Sequence, residues 1–284
     1  MPTQESSAPV SLVEDKIRRL RALLKQIGPS LIAFSGGVDS SFLLAVAAEV
    51  YPNQIKALMT VSPATPPRDK EQAMALARRL NLQLLIIPHD ELSVPAYASN
   101  PLNRCYFCKN LLYDVCQREA RRVGVESIID GVNLDDLVDY RPGLQSAQEF
   151  KVRHPLAEAQ FSKQEIRAAS RIFKLPTWDK PASPCLSSRV PYGTAITKTM
   201  LARISEAEAY LHSLGFAEVR VRYDGTNARL EFAERYFDEV SFHGLFTNMA
   251  TKFTTIGIVS FTIDLEGYKS GVFNPKPPQN KKPY

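Results

Sequence analysis

The residues of this chain best suited to chemistry begin with Ser35-Gly36-Gly37-Val38-Asp39-Ser40. An apolar run, Leu31 to Phe34, leads into them, and a helical pattern starts at Asp39 and continues through Phe42, Leu43, Leu44, Val46 and Ala47. A strand, a glycine turn and a helix start in that order form an anion site. Gly36 and Gly37 admit backbone angles that a Cβ forbids and let a phosphate approach the main chain. The unpaired N–H groups and the dipole of the helix then point at that phosphate. The Gly-Lys-Ser/Thr ending of a Walker loop is missing. Asp39 in its place suggests Mg²⁺ held between carboxylate and phosphate oxygens. The plainer alternative is a strand–helix turn capped by Asp39 and Ser40.

A second group of polar residues is Asp130-Gly131-Val132-Asn133-Leu134-Asp135-Asp136, followed by Asp139-Tyr140-Arg141-Pro142-Gly143-Leu144. Acids and an Asn at the end of a strand can hold a metal or a nucleotide hydroxyl, with Asp136 expected beside Asp39 on Mg²⁺ and Gly131 and Asn133 beside ATP. A solvated turn with a helix cap is the other reading. Sulfur comes from Cys105-Tyr106-Phe107-Cys108 at a helix start, which favours thiolates, and from Cys185 in Ser183-Pro184-Cys185-Leu186-Ser187-Ser188-Arg189. Four readings stay open: a zinc site with His154 as fourth ligand, a dithiol redox pair, inert buried thiols, and a three-thiolate site serving a [4Fe–4S] cluster or persulfide chemistry. Cys116 alternates with core positions and reads as packing. Finally, Val219-Arg220-Val221-Arg222-Tyr223 alternates, placing two guanidiniums on one face roughly 7 Å apart. With Arg229 and Arg189, and Glu231 on the next strand beside them, they suit a phosphate group; the alternative is the wet face of a two-stranded sheet.

The elements that must position these groups are those of an α/β chain. It has 284 residues, 44% hydrophobic and 23% charged, with a net charge of +5 and four cysteines. That is an ordinary globular composition, not a disulfide scaffold, and a cytoplasmic location is expected. No run approaches the about 18 apolar residues of a membrane span, and MPTQESSAPV lacks a signal-peptide pattern. Strands are expected at 31–34, 55–61, 82–88 and 126–130, alternating with helices at 12–27, 39–47, 68–80 and 105–123. This argues for a doubly wound parallel sheet, whose ligands bind beyond the carboxyl ends of the strands. Ser162-Lys163-Gln164-Glu165 is a capping box opening another helix. From residue 195 the pattern changes to a helix, 197–214, and three strands, 218–223, 228–232 and 256–265, read as antiparallel. The expected organisation is a domain over 1–194 with the cysteine site, a smaller C-terminal α+β substrate and oligomerisation domain over 195–272, and a basic, proline-rich tail over 273–284.

The Ser-Gly-Gly-x-Asp-Ser stretch resembles the PP-loop motif of ATP pyrophosphatases, which adenylate a substrate and release pyrophosphate. With DGVNLDD, DYRPGL, KPASPCLSSRVPYGTAIT and GFAEVRVRYDG, the chain from about residue 15 to 272 resembles the LarE-type ATP-dependent sulfur transferases. The resemblance implies a PP-loop domain with a smaller C-terminal domain. It also implies adenylation of pyridinium-3,5-biscarboxylic acid mononucleotide and replacement of its carboxylates by thiocarboxylates, for the nickel-pincer nucleotide cofactor. ATP, Mg²⁺ and a homo-oligomer follow from it. In sacrificial members one cysteine gives up its own sulfur; aligned on Ser187-Ser188-Arg189, that cysteine falls at Pro184, one place before Cys185. Cys105, Cys108 and Cys185 together are more like the variety whose three cysteines hold [4Fe–4S], a cluster that aerobic purification can remove. The sulfur donor is not implied. A tRNA thiolation enzyme is the rival reading, but it calls for an RNA-binding module or broad basic surface. A PP-loop amidotransferase would need a glutaminase domain, and a non-catalytic nucleotide sensor would not need the acids and cysteines.

Overall fold

The computed structural model describes residues 10–139, 141–240 and 243–268. The polar start, Tyr140 of the acidic loop and the tail beyond residue 268 lie outside the described residues. The chain divides into two compact units. One comprises residues up to Val61 with Pro67–His89 and Cys105–Ser183; the other comprises Ser62–Pro66, Asp90–Arg104 and the residues from Pro184 onward.

In the first unit, α1 (Val10–Ile27), β1 (Ser30–Ala33), α2 (Val38–Val50), β2 (Lys56–Val61), α3 (Pro67–Arg79), β3 (Leu84–Pro88), α4 (Arg104–Val123), β4 (Ser127–Asp130) and α5 (Lys163–Ile172) follow in order. The four strands form one parallel sheet in the order β3-β2-β1-β4. The chain leaves β1 toward β2 on one side and returns from β3 to β4 on the other. The order therefore reverses at β1 and β4, which is where a doubly wound sheet opens a crevice. The apolar runs alternate between two faces, as the strand period of two requires. Ile32, Ala57, Met59 and Ile129 meet α1, α2 and α5. Leu31, Ala33, Leu58 and Ile128 meet Tyr113, Cys116 and Ala120 of α4. Phe42 of α2 stands edge-on to Phe161 and Phe173, with ring centroids 5.4 and 5.5 Å apart. Three strands, β2, β3 and β4, begin one or two residues later than the sequence pattern suggests. Leu82, for one, returns its N–H to Ala77 of α3 at 2.9 Å after Asn81 takes a positive φ of 51°.

In the second unit, α6 (Lys198–Ser213) is capped by the Thr197 side chain, which accepts from the Met200 N–H at 3.2 Å. β5 (Val219–Tyr223) and β6 (Asn227–Phe232) are antiparallel, joined through Asp224 and Gly225, whose φ is 105°. α7 (His243–Thr255) then leads to β7 (Ser260–Ile263). The third strand is thus shorter than the 256–265 read from sequence and runs parallel to β6, pairing Asn227 with Ser260 and Leu230 with Ile263. A parallel pair needs a crossover, and α7 supplies it. Gly257, at φ 83°, and the Ile258 N–H bonded to Phe253 belong to the close of that helix.

Candidate functional site

The glycine loop forms where β1 ends. Phe34 continues the ladder by one bond, N–H to Leu58 at 2.8 Å. Gly36 then takes a φ of 72°, and a Cβ there would stand 3.1 Å from the Ala73 Cβ and 3.3 Å from the Asp69 carbonyl. Gly37 is the N-cap of α2 with no side chain capping it. Neither Asp39 nor Ser40 caps the helix, so the capped-turn alternative has no cap. The loop is braced by its own serines: Ser35 and Ser40 hydroxyls lie 3.0 Å apart, the Gly37 N–H donates to Ser35 Oγ at 3.3 Å, and Ser40 Oγ donates to the Gly37 carbonyl at 3.4 Å. β4 exits against this turn. A Cβ on Gly131 would sit 2.7 Å from the Ser40 nitrogen and 2.9 Å from its Cα. Glycine is required there by contact with the backbone.

Charge gathers around Asp39. Its Oδ2 lies 3.5 Å from Lys163 Nζ, while its buried Oδ1 has no hydrogen-bond partner among the described residues. Burial raises the carboxyl above its ordinary range and nearby Asp136 adds to this, against the opposing charge of Lys163. Asp136 and Asn133 close a reciprocal pair: Asp136 Oδ2 accepts from the Asn133 N–H at 3.2 Å, and Asn133 Oδ1 accepts from the Asp136 N–H at 3.1 Å. Arg141 reaches Asp136 Oδ1 at 2.5 Å. Asn133 is fully buried, and its Nδ2 also lacks a partner among the described residues. Behind them Asp130, the last residue of β4, accepts from Tyr113 Oη at 2.7 Å and lies 2.7 Å from His154 Nδ1.

Two cations at this site went unread in the sequence. Lys163 opens α5 behind a complete Ser162–Glu165 capping box. Lys180 donates from Nζ to the Gly36 carbonyl at 3.0 Å and pairs with Asp69 Oδ1 at 2.9 Å, while Ser183 Oγ donates to Asp69 Oδ2 at 2.7 Å. Arg167 holds the approach to Lys180, donating to the carbonyls of Trp178 and Lys180 at 2.9 and 2.8 Å. The available signal was the company each lysine keeps, one in a capping box and the other beside the Ser183–Arg189 stretch.

The cysteines divide between the units. Cys105 is exposed and Cys108 half-buried in the first turn of α4, in the first unit; Cys185 is exposed in the second. Cys116 is buried against the sheet, and burial pushes its thiol up to about 12. Among the described residues of either unit, no three His, Cys, Asp or Glu side chains stand together so as to hold a metal ion.

In the second unit Arg220 and Arg222 are buried, because all five positions of β5 are covered, and Arg189 is buried with them, while the Arg229 side chain on β6 is 41% exposed. The wet-face reading therefore fails. Arg189, 1% exposed, makes a two-pronged pair with Glu208, Nε to Oε1 at 2.9 Å and Nη2 to Oε2 at 3.0 Å. Arg222, 8% exposed, donates twice to Glu231 Oε2, at 3.0 and 2.8 Å, and Arg229 reaches Oε1 of the same carboxylate at 3.0 Å. Arg220 lies over the Tyr268 ring, 4.8 Å from its centroid, and burial and the charge of Arg189 lower its pKa.

No family model matches the chain. It is 43% identical over 263 residues to an uncharacterised protein of Synechocystis sp., a match covering 93% of this chain and 98% of that one. To an uncharacterised protein of Methanocaldococcus jannaschii it is 27% identical over 240 residues, 84% of this chain and 90% of the relative. To the pyridinium-3,5-bisthiocarboxylic acid mononucleotide synthase of Lactiplantibacillus plantarum it is 35% identical over 257 residues, 90% of this chain and 92% of that enzyme. With a parallel sheet carrying the glycine loop, a separate small C-terminal sheet and a near full-length match to that enzyme, this chain belongs to the LarE-type family.

Proposed function

We propose that this protein uses ATP to adenylate a carboxylate of pyridinium-3,5-biscarboxylic acid mononucleotide and then replaces AMP with sulfur, in the synthesis of the nickel-pincer nucleotide cofactor. The carrying observation is the buried Oδ1 of Asp39 at the start of α2, without a partner among the described residues, beside a glycine turn that projects no Cβ. A substrate carboxylate oxygen attacks the α-phosphorus, the α–β phosphoanhydride breaks and pyrophosphate leaves. A sulfur nucleophile then attacks the acyl carbon, and the C–O bond to AMP breaks. Activation is necessary because a carboxylate oxygen is a poor leaving group and AMP a good one.

In this reading Ser35, Gly36, Gly37 and Ser40 receive the phosphates, with Lys163 and Lys180 supplying positive charge. Gly131 and Asn133 face the nucleotide. Asp39 and Asp136 offer the oxygen donors that Mg²⁺ takes, and the ion would draw charge from the phosphate oxygens. Cys185 is the sulfur-bearing residue, supported by Cys105 and Cys108. The resemblance to cluster-carrying relatives makes a [4Fe–4S] cluster on these three a second proposal, decided by iron and sulfide analysis of anaerobic protein; no step here runs through it. Residues 195–272, with Arg220 and Arg229, bind the mononucleotide phosphate and support a homo-oligomer, in the cytoplasm.

The test is to incubate the protein with ATP, Mg²⁺ and the mononucleotide and identify the products. AMP and pyrophosphate, formed only with the mononucleotide present, are expected. ADP with orthophosphate would overturn the assignment, and turnover supported by tRNA instead would replace the substrate.

A further inference from the structure

We propose that Arg189 and Arg222 act as positioning residues that hold the Cys185 segment, rather than as ligands of the substrate phosphate. This rests on the reading above, in which Cys185 handles the sulfur. Cys185 precedes a short 3-10 turn, Leu186–Arg189, and is exposed, as is Pro184. An exposed segment of this kind ordinarily leaves its carbonyls to water and moves. Here they are taken by buried cations. Arg189 Nη1 donates to the carbonyls of Pro184 at 2.5 Å and Cys185 at 3.1 Å, and to Ser188 Oγ at 3.0 Å. Arg222 Nη1 donates to the Ser188 carbonyl at 2.8 Å.

Each guanidinium is backed by a buried carboxylate. Glu208 takes the other edge of Arg189 and also accepts from the Val221 N–H at 3.1 Å; Glu231, 0% exposed, takes Arg222. A buried arginine needs such a counter-charge, and its rigid fork of donors suits it to gripping several oxygens at fixed angles. The start of the turn, next to Cys185, is fixed as well. The Leu186 N–H donates to the Ala64 carbonyl at 2.8 Å, and Ser187 Oγ lies 2.6 Å from Tyr97 Oη. The backbone on both sides of Cys185 is therefore held while its thiol remains accessible. A reacting group displaced by about 1 Å can lose roughly a hundredfold in rate.

The experiment uses the full chain with Arg189→Lys, Glu208→Gln, Arg222→Lys and Glu231→Gln. These variants keep size and either keep a charge or remove only the counter-charge. Three quantities are read: kcat and KM for the mononucleotide in sulfur transfer, substrate-dependent pyrophosphate exchange for adenylation, and amide exchange at Leu186. Expected are a fall of at least about tenfold in kcat with KM within about twofold, retained adenylation and faster Leu186 exchange, with Glu208→Gln behaving like Arg189→Lys. A phosphate-ligand role gives another pattern: KM rises in the lysine variants, falls or holds in Glu208→Gln, where the guanidinium is released to bind, and Leu186 exchange is unchanged. That pattern would overturn the proposal. Cys185→Ala separates the two readings. If it retains full sulfur transfer, the role given to Cys185 falls and the positioning of chemistry with it. Faster Leu186 exchange in Arg189→Lys would then report only a structural brace.

Discussion

At the glycine loop, the buried Oδ1 of Asp39 and Nδ2 of Asn133 have no partners among the described residues, whereas around Cys185 the guanidiniums of Arg189 and Arg222 each meet a carboxylate and at least one backbone carbonyl. A buried polar atom without a partner costs about 1–3 kcal/mol, and folded chains tolerate few of them. Two at the carboxyl end of a parallel sheet support the proposed nucleotide site, where a ligand would complete the hydrogen bonding. In the proposed reading the paired Arg189 and Arg222 of the second unit do the opposite work, fixing a piece of chain before any ligand arrives. Burial of charge alone does not identify a binding site; the state of its partners distinguishes reception from support.

The contrast can be broken at its strongest point by Glu208→Ala. If the Arg189 pair is internal support, removing the carboxylate leaves an uncompensated buried cation and should lower stability by about 3–5 kcal/mol, read from denaturant unfolding. A loss below about 1 kcal/mol would mean that the pair carries little. Asp39→Asn tests the other side. Stability should hold or rise slightly, because the residue has a buried oxygen without a partner among the described residues, while pyrophosphate exchange falls by about 3 kcal/mol of barrier, more than a hundredfold. Unchanged exchange would remove Asp39 from the reaction.

Gly131→Ala sharpens the geometry of the receiving site. A methyl 2.7 Å from the Ser40 nitrogen must push β4 and α2 apart, so a destabilisation of about 1–3 kcal/mol is expected from overpacking, with weaker ATP binding by calorimetry. A fully stable variant with wild-type affinity would refute that contact. Asp130 supports the same unit through its carboxylate. Burial alone would raise its pKa, yet the bond from His154, the charge of Lys109 and the Tyr113 hydroxyl hold it below the ordinary value. A depressed folded pKa contributes stability above the unfolded value of about 3.9 and loses it as pH falls through the folded one. The stability gap between wild type and Asp130→Asn should therefore shrink as pH falls below about 4; a gap that grows on acidification through that range would contradict this. The smallest effect belongs to Cys116→Ala: about 1 kcal/mol of packing and unchanged sulfur transfer, with Cys116 unreactive to iodoacetamide at pH 8 because its thiol stays protonated.

The strand–glycine–helix segment was legible because all its determinants are local: an apolar run, two glycines and a helix start lie within about twenty residues. Cys116 was legible for the same reason, through helical spacing. Lys180 was not, since it meets Gly36 across 144 residues of chain, and its place beside the Ser183–Arg189 stretch does not reveal that partner. Alternation put Arg220 and Arg222 on one face of β5, but it cannot report what covers that face. Glu208, on α6, and the Ser188 carbonyl are distant in sequence. The direction of β7 was misread for a similar reason, because strand composition is the same in parallel and antiparallel pairs and only recognition of α7 as a crossover distinguishes them.

The bond from Leu186 to Ala64 also bears on how the molecule is made. Ser62–Pro66 and Asp90–Arg104 emerge from the ribosome well before Pro184, yet they belong to the unit that Pro184 begins. At about 5–20 residues per second of synthesis, the Ala64 carbonyl waits on the order of ten seconds for its donor. During that interval Tyr97 and Ala64, both buried at the end, have no finished surroundings. The strands of the parallel sheet have all been translated by then, so the second unit is the last to close. A chain cut before Pro184 would release two pieces, neither of which holds the whole of that unit, and co-expressing them as if they were independent modules should yield insoluble fragments.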